Sequence, residues 1–202
     1  MLDQYTRNWK EDVLEPFARS FAPIHPNLMT LFSLSLGLVG AFFAWQGEYW
    51  IAAVFWALNR ITDGLDGTMA RVNQKQSDLG GYLDIMADFV VYALIPVALV
   101  LGRPSTTYFV WLAVLLAVYY VNTASWMYLA AILEKRAHGA AVRGEKTTVT
   151  MPGGLIGGTE TAFVYVLFIL LPGYLPWLFG GFAGLVLVTV VQRLIWATQE
   201  LK

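Results

Sequence analysis

Six stretches of mostly apolar residues, each about 20 residues long and separated by short polar breaks, run through the chain. A helix of roughly 20 residues crosses the hydrocarbon core of a bilayer. We therefore predict six transmembrane helices, at about Leu28–Trp45, Tyr49–Ala70, Gly80–Leu101, Thr107–Leu133, Leu155–Leu171 and Leu175–Ala197. Hydrophobic residues make up 57% of the chain and charged residues only 13%, which argues against a soluble domain and a nucleic-acid partner. The predicted fold is all-α and polytopic, with one membrane domain over residues 1–202.

A polar segment with an apolar stripe, residues 1–22, precedes the first predicted span. Its apolar residues recur at spacings of three and four, which places them on one helix face: Leu2, Tyr5, Trp9, Val13 and Phe17. Such an amphipathic helix lies on the membrane surface or packs on the rest of the protein, since both arrangements bury the same stripe. Charged residues occur throughout the segment, so it does not contain the apolar core of a signal peptide.

The positions of lysine and arginine predict the orientation of the chain. With the N-terminus inside, nearly all of these residues fall at cytoplasmic ends and loops, and Arg103 alone falls outside. We therefore expect both termini to be cytoplasmic, in a bacterial-type inner or plasma membrane. The end of the second span and the start of the third would lie at the same cytoplasmic depth.

Aspartates are concentrated at the junction of the second and third predicted spans, between residues 63 and 88. A carboxylate that faces lipid is strongly unfavourable, so such residues are expected to face the interior of the bundle and to have a function. Asp63 and Asp66 are three residues apart on one helix, and Asp84 and Asp88 are four apart on the next. Each pair therefore lies on one helix face, and the two pairs can face each other.

Divalent cations would remove the repulsion between these four carboxylates. The chain has no cysteine, so a metal must bind to oxygen or nitrogen. An all-oxygen set favours Mg²⁺ or Mn²⁺, and two such ions about 3.5–4 Å apart recur in displacement at phosphorus. We predict two ions held by Asp63, Asp66, Asp84 and Asp88. The small residues beside them, such as Gly67 and Gly80, suit either the approach of a phosphate-bearing group or close helix packing.

The same segment resembles the signature of the CDP-alcohol phosphatidyltransferase family, D-x2-D-G-x2-A-R-x8-G-x3-D-x3-D. Every fixed position is matched, by Asp63, Asp66, Gly67, Ala70, Arg71, Gly80, Asp84 and Asp88. The six predicted spans and the segment from Pro26 to Thr30 are also similar to this family. The resemblance implies a homodimeric membrane enzyme with its active site open to the cytoplasm.

The resemblance also implies roles for individual residues. Asp63, Asp66 and Asp84 would bind metal, and Asp88 would contact the second ion and act as the base that deprotonates the acceptor hydroxyl. The residues implied in donor binding are Pro26, Asn27, Thr30, Asp66, Gly67, Arg71 and Ser77. The implied reaction transfers a phosphatidyl group from CDP-diacylglycerol to a small polar alcohol and releases CMP.

Three residues are predicted on the acceptor side. Arg143 and Lys146 lie in the basic loop after the fourth span, and the positive-inside bias is the simpler explanation of their charge. They are also candidates to hold a phosphate. Glu160 is an unusual charge at the start of the fifth span and a candidate to select the acceptor. Family members that use phosphorylated alcohols tend to have an arginine near this point, where this chain has Thr161, and this argues against a phosphorylated acceptor.

Other interpretations stay open on the sequence alone. A CDP-choline or CDP-ethanolamine type of phosphotransferase, which acts on a lipid alcohol, carries the same signature. A cation or proton transporter can use the same carboxylates, although the sequence shows no inverted repeat. Arg60, one turn before Asp63, can form an ion pair there or point elsewhere on its helix.

Overall fold

The computed structural model describes residues 13–143 and 153–202, and this part of the chain is built from helices and contains no strand. The first helix, α1, is helical from residue 13 to residue 20. The others are α2 (Pro26–Trp45), α3 (Tyr49–Val72), α4 (Asp78–Gly102), α5 (Thr106–Lys135), α6 (Ala140–Arg143), α7 (Gly158–Leu170) and α8 (Leu175–Glu200), and a 3-10 turn at Pro172–Tyr174 precedes the last. The predicted all-α class is confirmed.

Four helical stretches are long and apolar enough to cross a bilayer: α2, α4, α5 and the stretch Pro172–Glu200 that contains α8. They make the chain an integral membrane protein. Two of the six predicted spans fall outside this group for different reasons. Helix α3 has 24 residues, but it carries the polar side chains of the signature. Helix α7 has only 13 residues, about 20 Å of helix.

Helix α7 begins three residues later than the predicted fifth span, and the backbone before it is hydrogen-bonded to α8. The backbone N–H groups of Leu155 and Ile156 donate hydrogen bonds to the side chains of Gln192 (2.8 Å) and Thr189 (2.9 Å). Glycine has a low helix propensity, and three of the five residues from 153 to 157 are glycines. The glycine-rich segment 153–157 is therefore non-helical and lies along α8.

The predicted breaks between helices are confirmed by local structure. Gly47, between α2 and α3, has a φ of +82°, a conformation that glycine adopts without steric cost. Ser77 precedes α4, and its hydroxyl accepts a hydrogen bond of 3.1 Å from the N–H of Gly80. The two spans that carry the signature are thus joined by a short, capped connection.

The helices pack in two groups that α7 connects. Helix α2 lies along both α3 and α4, and α5 lies along α8, while α7 contacts α3, α4 and α8. The interior between the groups is strongly aromatic. Trp56 of α3 stacks on Tyr165 of α7, with ring centroids 5.0 Å apart, and its indole N–H donates to the carbonyl of Ala162 at 3.1 Å. This aromatic packing fixes the α3 face that bears the signature residues.

The predicted N-terminal stripe is only partly described. Leu2, Tyr5 and Trp9 lie outside the described residues. Val13 and Phe17 are exposed, at 45% and 57%, whereas Ala18 is buried beside Met29, Leu65 and Met69. The stripe in α1 therefore points away from the other described helices.

Candidate active site

One end of the site is built where the start of α2 meets the end of α3. Asp66 is buried, and its Oδ2 accepts a hydrogen bond of 2.6 Å from the hydroxyl of Thr30. The same hydroxyl also lies 3.3 Å from the carbonyl oxygen of Pro26. This bond joins the segment Pro26–Thr30 to the signature. Both of the bonded residues, Thr30 and Asp66, are predicted to bind the donor.

The start of α4 lies against the same end of α2. A Cβ atom at Gly80 would lie 3.1 Å from both Asn27 Oδ1 and Ser77 Oγ, closer than most side-chain contacts. Gly80 therefore lets the two helix starts approach. On α3 a Cβ atom at Gly67 would lie 3.3 Å from an Nη atom of Arg71, so the missing side chain leaves room for this guanidinium. Both glycines of the signature thus leave space for a neighbouring group, Gly80 for the start of α2 and Gly67 for the Arg71 side chain.

Asp63 of α3 and Asp88 of α4 meet at the guanidinium of Arg60. An Nη atom of Arg60 lies 2.8 Å from Asp88 Oδ1, and the other lies 3.5 Å from Asp63 Oδ2. Of the two readings of Arg60, the ion pair with Asp63 is therefore confirmed, and Asp88 is a second partner.

The Arg60 side chain is held on every side. Its carbon Cζ lies 4.9 Å from the ring centroids of both Trp56 and Tyr92, a cation–π arrangement with two rings. Nε donates to Asn59 Oδ1 at 2.8 Å, and Nη1 donates to the Tyr92 hydroxyl at 3.1 Å. A mostly buried cation thus forms part of the aspartate site.

Asp84 completes the cluster. It interacts electrostatically with Asp66 and Arg71 of α3 and also with Asp88 and Arg60. It therefore lies near both the Thr30–Asp66 contact and the Arg60 ion pairs. Within residues 13–143 and 153–202, however, no three acidic or histidine side chains gather closely enough to enclose a metal ion. The carboxylate of Asp66 is turned toward Thr30, and those of Asp63 and Asp88 are turned toward Arg60.

A cavity of about 500 Å³ adjoins the cluster at Asp88. Its walls come from α4, α5, α8 and the segment around the start of α7, and they are largely apolar and aromatic. They include Phe89, Tyr92, Tyr119, Trp126, Gly157 and Arg193. Asp88 is the one signature aspartate that lines it. Its carboxylate thus lies between the aspartate cluster and an open space.

The model of the family described as CDP-alcohol phosphatidyltransferase matches residues 23–196. The chain belongs to the CDP-alcohol phosphatidyltransferase family. It is accordingly an enzyme of phosphatidyl transfer in phospholipid synthesis, and the transporter reading has no support.

Individual relatives agree with this assignment. The inner membrane protein YnjF of Escherichia coli is 34% identical over 176 residues, 86% of this chain and 82% of that protein. The CDP-diacylglycerol--serine O-phosphatidyltransferase of Mycobacterium leprae is 38% identical over 94 residues, which are 46% of this chain and 31% of that enzyme. The match to the serine enzyme thus spans less than half of either chain.

Solved structures share the fold. The phosphatidylinositol phosphate synthase PgsA1 of Mycobacterium tuberculosis, with CDP-DAG bound, superposes with a TM-score of 0.68 and 20% identity, covering 91% of this chain and 92% of that chain. The same protein in complex with manganese and citrate superposes with a TM-score of 0.62 and 18% identity, over 90% and 87% of the two chains.

The residues predicted on the acceptor side of this phosphatidyltransferase are less well placed. The carboxylate of Glu160 accepts a hydrogen bond of 3.1 Å from the N–H of Gly157 at the start of its own helix, while Gly157, Gly158 and Thr161 line the cavity. Arg143 ends the short helix α6, and its side chain is outside the described part. Lys146 lies outside the described residues altogether.

Arg193 of α8 is a cavity residue that the sequence reading counted only as part of the positive-inside bias. It is 6% exposed and donates to Asn122 Oδ1 at 3.0 Å and to Ser125 Oγ at 2.7 Å, both on α5. The sequence signal is an arginine within a largely apolar helix, but its partners lie on another helix and no local spacing identifies them. Together these residues provide polar groups at the α5–α8 side of the cavity.

Proposed function

We propose that this phosphatidyltransferase transfers the phosphatidyl group of CDP-diacylglycerol to a small polar alcohol and releases CMP. The observation that carries the proposal is the position of Asp88, which belongs to the aspartate cluster and also lines the adjoining cavity. A donor diphosphate at the cluster and an alcohol in the cavity would meet at this carboxylate. A base must lie within hydrogen-bond reach of the proton that it takes.

The chemical step balances with Asp88 as base. The acceptor oxygen forms a bond to the phosphorus that carries the lipid, and the bond from that phosphorus to the bridging oxygen of CMP breaks. The acceptor proton moves to an oxygen of Asp88, and CMP leaves with the bonding electrons. The donor would be bound at the end of the site formed by Pro26, Asn27, Thr30, Asp66, Gly67, Arg71 and Ser77. A guanidinium such as Arg71 makes strong, charge-assisted hydrogen bonds with phosphate oxygens.

Two divalent ions, Mg²⁺ or Mn²⁺, are proposed at Asp63, Asp66, Asp84 and Asp88. The four aspartates suit such ions chemically, because all of their ligand atoms are carboxylate oxygens. Their four negative charges also outnumber the positive charges of the two nearby arginines, Arg60 and Arg71. Asp66 and Asp84 form no ion pair with any residue in the described ranges. When bound, the ions would supply positive charge to the diphosphate. Binding would require Asp63 and Asp88 to turn from Arg60.

The acceptor is proposed to bind in the cavity beside Asp88. Arg193, Asn122 and Thr161 offer polar contacts there. Arg143, Lys146 and Glu160 remain candidates for binding the acceptor. Serine is a candidate acceptor because a curated relative that is 38% identical over part of its length is a serine enzyme. A second candidate function is favoured by the cavity itself. Its volume of about 500 Å³ is larger than a small alcohol needs. Its aromatic walls suit a lipid alcohol, the acceptor in a CDP-choline type of reaction.

The proposed membrane topology keeps six spans. Helix α3 would cross the bilayer because the polar side chains of its signature half, among them Arg60, Asp63 and Asp66, face α2, α4 and the interior rather than lipid. Helix α7 would be completed by the segments on either side of it. Residues 1–22 would lie at the cytoplasmic surface, where exposed Val13 and Phe17 can enter the interface. Both termini and the site would be cytoplasmic, within a single domain that forms a homodimer.

The decisive experiment is an assay of CMP release by the purified protein in detergent. CDP-diacylglycerol with serine, glycerol 3-phosphate or inositol phosphate would be compared with CDP-choline and diacylglycerol, each with Mg²⁺ or Mn²⁺. We expect release with CDP-diacylglycerol and a small alcohol, its loss in EDTA and its return when the ion is restored. Release only with CDP-choline and diacylglycerol would establish the second candidate function instead. Activity that survives complete chelation would refute the role of the ions.

A further inference from the structure

The connection between α3 and α4, residues 73–77, lies between two residues that are proposed to bind the donor. Arg71 comes two positions before it, and Ser77 is its last residue. Gln74, within the connection, has a φ of +55°, in the left-handed region that residues other than glycine seldom adopt. Such a backbone is costly, so support from outside the connection helps to keep Arg71 and Ser77 in place.

Two side chains of the connection are hydrogen-bonded to the end of α1. Nζ of Lys75 donates to the carbonyl oxygen of Ala22 at 2.8 Å, and Nδ2 of Asn73 donates to that of Ala18 at 3.2 Å. Carbonyl groups at the end of a helix need partners from outside it, and these two side chains supply them. The bonds join segments that are 53 and 55 residues apart in the sequence.

Helix α1 also packs on the helices that form this end of the site. Ala18 is fully buried in a small apolar cluster that includes Met29 of α2 and Leu65 of α3. Met29 and Leu65 directly precede Thr30 and Asp66, the hydrogen-bonded pair at the proposed donor end. One face of α1 is therefore in contact with both helices where the donor is proposed to bind.

The other face of α1 and of the turn after it is apolar and exposed. Its side chains are those of Val13, Phe17, Phe21 and Ile24. Further along the chain they are followed by exposed apolar side chains of α2, a helix long and apolar enough to cross the bilayer: Leu28, Leu31 and Phe32. An apolar face that continues into a membrane span suits insertion into the interface of a lipid bilayer.

We propose that α1, held at the bilayer surface by this apolar face, positions the donor end of the site through Lys75 and Asn73. This inference rests on the proposed donor site. The ammonium group of Lys75 is directed to a carbonyl of the protein, so it holds the connection in place. Lys75 and Asn73 are thus positioning residues, which act on the donor through Arg71 and Ser77. Loosening the connection should weaken donor binding and leave the KM for the alcohol unchanged.

The test measures the binding of CMP, the nucleotide part of the donor, by isothermal titration calorimetry. The full chain would be studied in phosphatidylcholine nanodiscs with Mg²⁺ present. Lys75→Met removes the ammonium group, and we expect the Kd for CMP to rise by about fivefold or more, because the donor-binding residues lose their fixed positions. Lys75→Arg keeps a charged donor and should restore most of the affinity. Lys135→Met, at an exposed lysine that ends α5, should leave the Kd unchanged.

Two further variants make the result specific. Asn73→Ala removes the second bond to α1 and should also raise the Kd, and it provides a reading if Lys75→Met does not fold. Phe17→Ser removes an exposed ring from the apolar face and should raise the Kd by about threefold. Combined with Lys75→Met it should add little, because both act through the same link. Phe109→Ser, at an exposed ring near the start of α5, should have no effect.

The outcomes separate this inference from the proposed donor site. Unchanged CMP affinity in both Lys75→Met and Asn73→Ala would overturn the inference. Weaker binding in Lys75→Met alone, beside normal binding in Asn73→Ala and Phe17→Ser, would mean that Lys75 contacts the donor phosphate directly and would overturn it as well. Fully additive effects of Phe17→Ser and Lys75→Met would refute the link to the bilayer. If the original chain bound no CMP, the proposed donor site itself would be refuted.

Discussion

The hydroxyl of Thr30 donates a hydrogen bond of 2.6 Å to Oδ2 of Asp66, 36 residues further along the chain. The bond joins the start of α2 to the signature on α3, and both residues are buried. A buried carboxylate that loses such a partner costs about 1–3 kcal/mol or more. Thr30 therefore holds Asp66, which is proposed to bind both the metal and the donor.

Thr30→Val tests this support, because valine has nearly the same shape without the hydroxyl. We expect a fall in kcat/KM of about tenfold or more, since Asp66 loses its fixed orientation. CMP release and thermal unfolding in detergent would be measured together. Thr30→Ser retains the hydroxyl and should keep most of the activity. Equal activity in the valine and serine variants would contradict the proposed role.

Asp88→Asn tests the base. The amide keeps the size of the side chain but cannot take a proton, so the rate of CMP release should fall by about 10²–10⁴-fold. Glu48→Gln, an exposed carboxylate at the other end of α3, should remain fully active. Both variants should elute as the original protein does in size-exclusion chromatography. A fully active Asp88→Asn enzyme would remove Asp88 from this role.

Much of this architecture was predictable from local patterns. The end of α2 follows from Gly47, and the start of α4 follows from Ser77. Helical spacing places Asp63 and Asp66 on one face of α3, and Asp84 and Asp88 on one face of α4. Each of these features depends on residues a few positions apart. The family signature itself has the same local character.

Other features depend on contacts between distant residues, and the sequence contains no spacing that reveals them. Arg60 was open between two readings because its second partner, Asp88, lies on another helix. The segment before α7 is held against α8 by hydrogen bonds to Thr189 and Gln192. Arg193 lines the cavity because α5 and α8 pack side by side. In each case tertiary contacts decided what the local pattern left open.

Gly67→Ala separates stability from donor binding. The new methyl group would lie 3.3 Å from an Nη atom of Arg71 and displace its guanidinium, so we expect the KM for CDP-diacylglycerol to rise by about tenfold. Helix propensity favours alanine over glycine by about 1 kcal/mol, so the melting temperature should not fall. Gly184→Ala, at a helical glycine with open space around it, should have the same effect on stability and none on KM. A normal KM in Gly67→Ala would show that Arg71 does not need this space.

Ala93→Phe tests whether the cavity beside Asp88 receives the acceptor. Ala93 lines the cavity, and a phenyl ring there would fill part of its volume of about 500 Å³. The KM for the alcohol should rise by about tenfold or more while the KM for CDP-diacylglycerol stays within about twofold, because only the acceptor would lose space. Ala57→Phe adds the same ring at an exposed position of α3 and should change neither constant. A rise in the donor KM alone would assign the cavity to the lipid part of the donor, since the same apolar walls that can accept a lipid alcohol can accept an acyl chain.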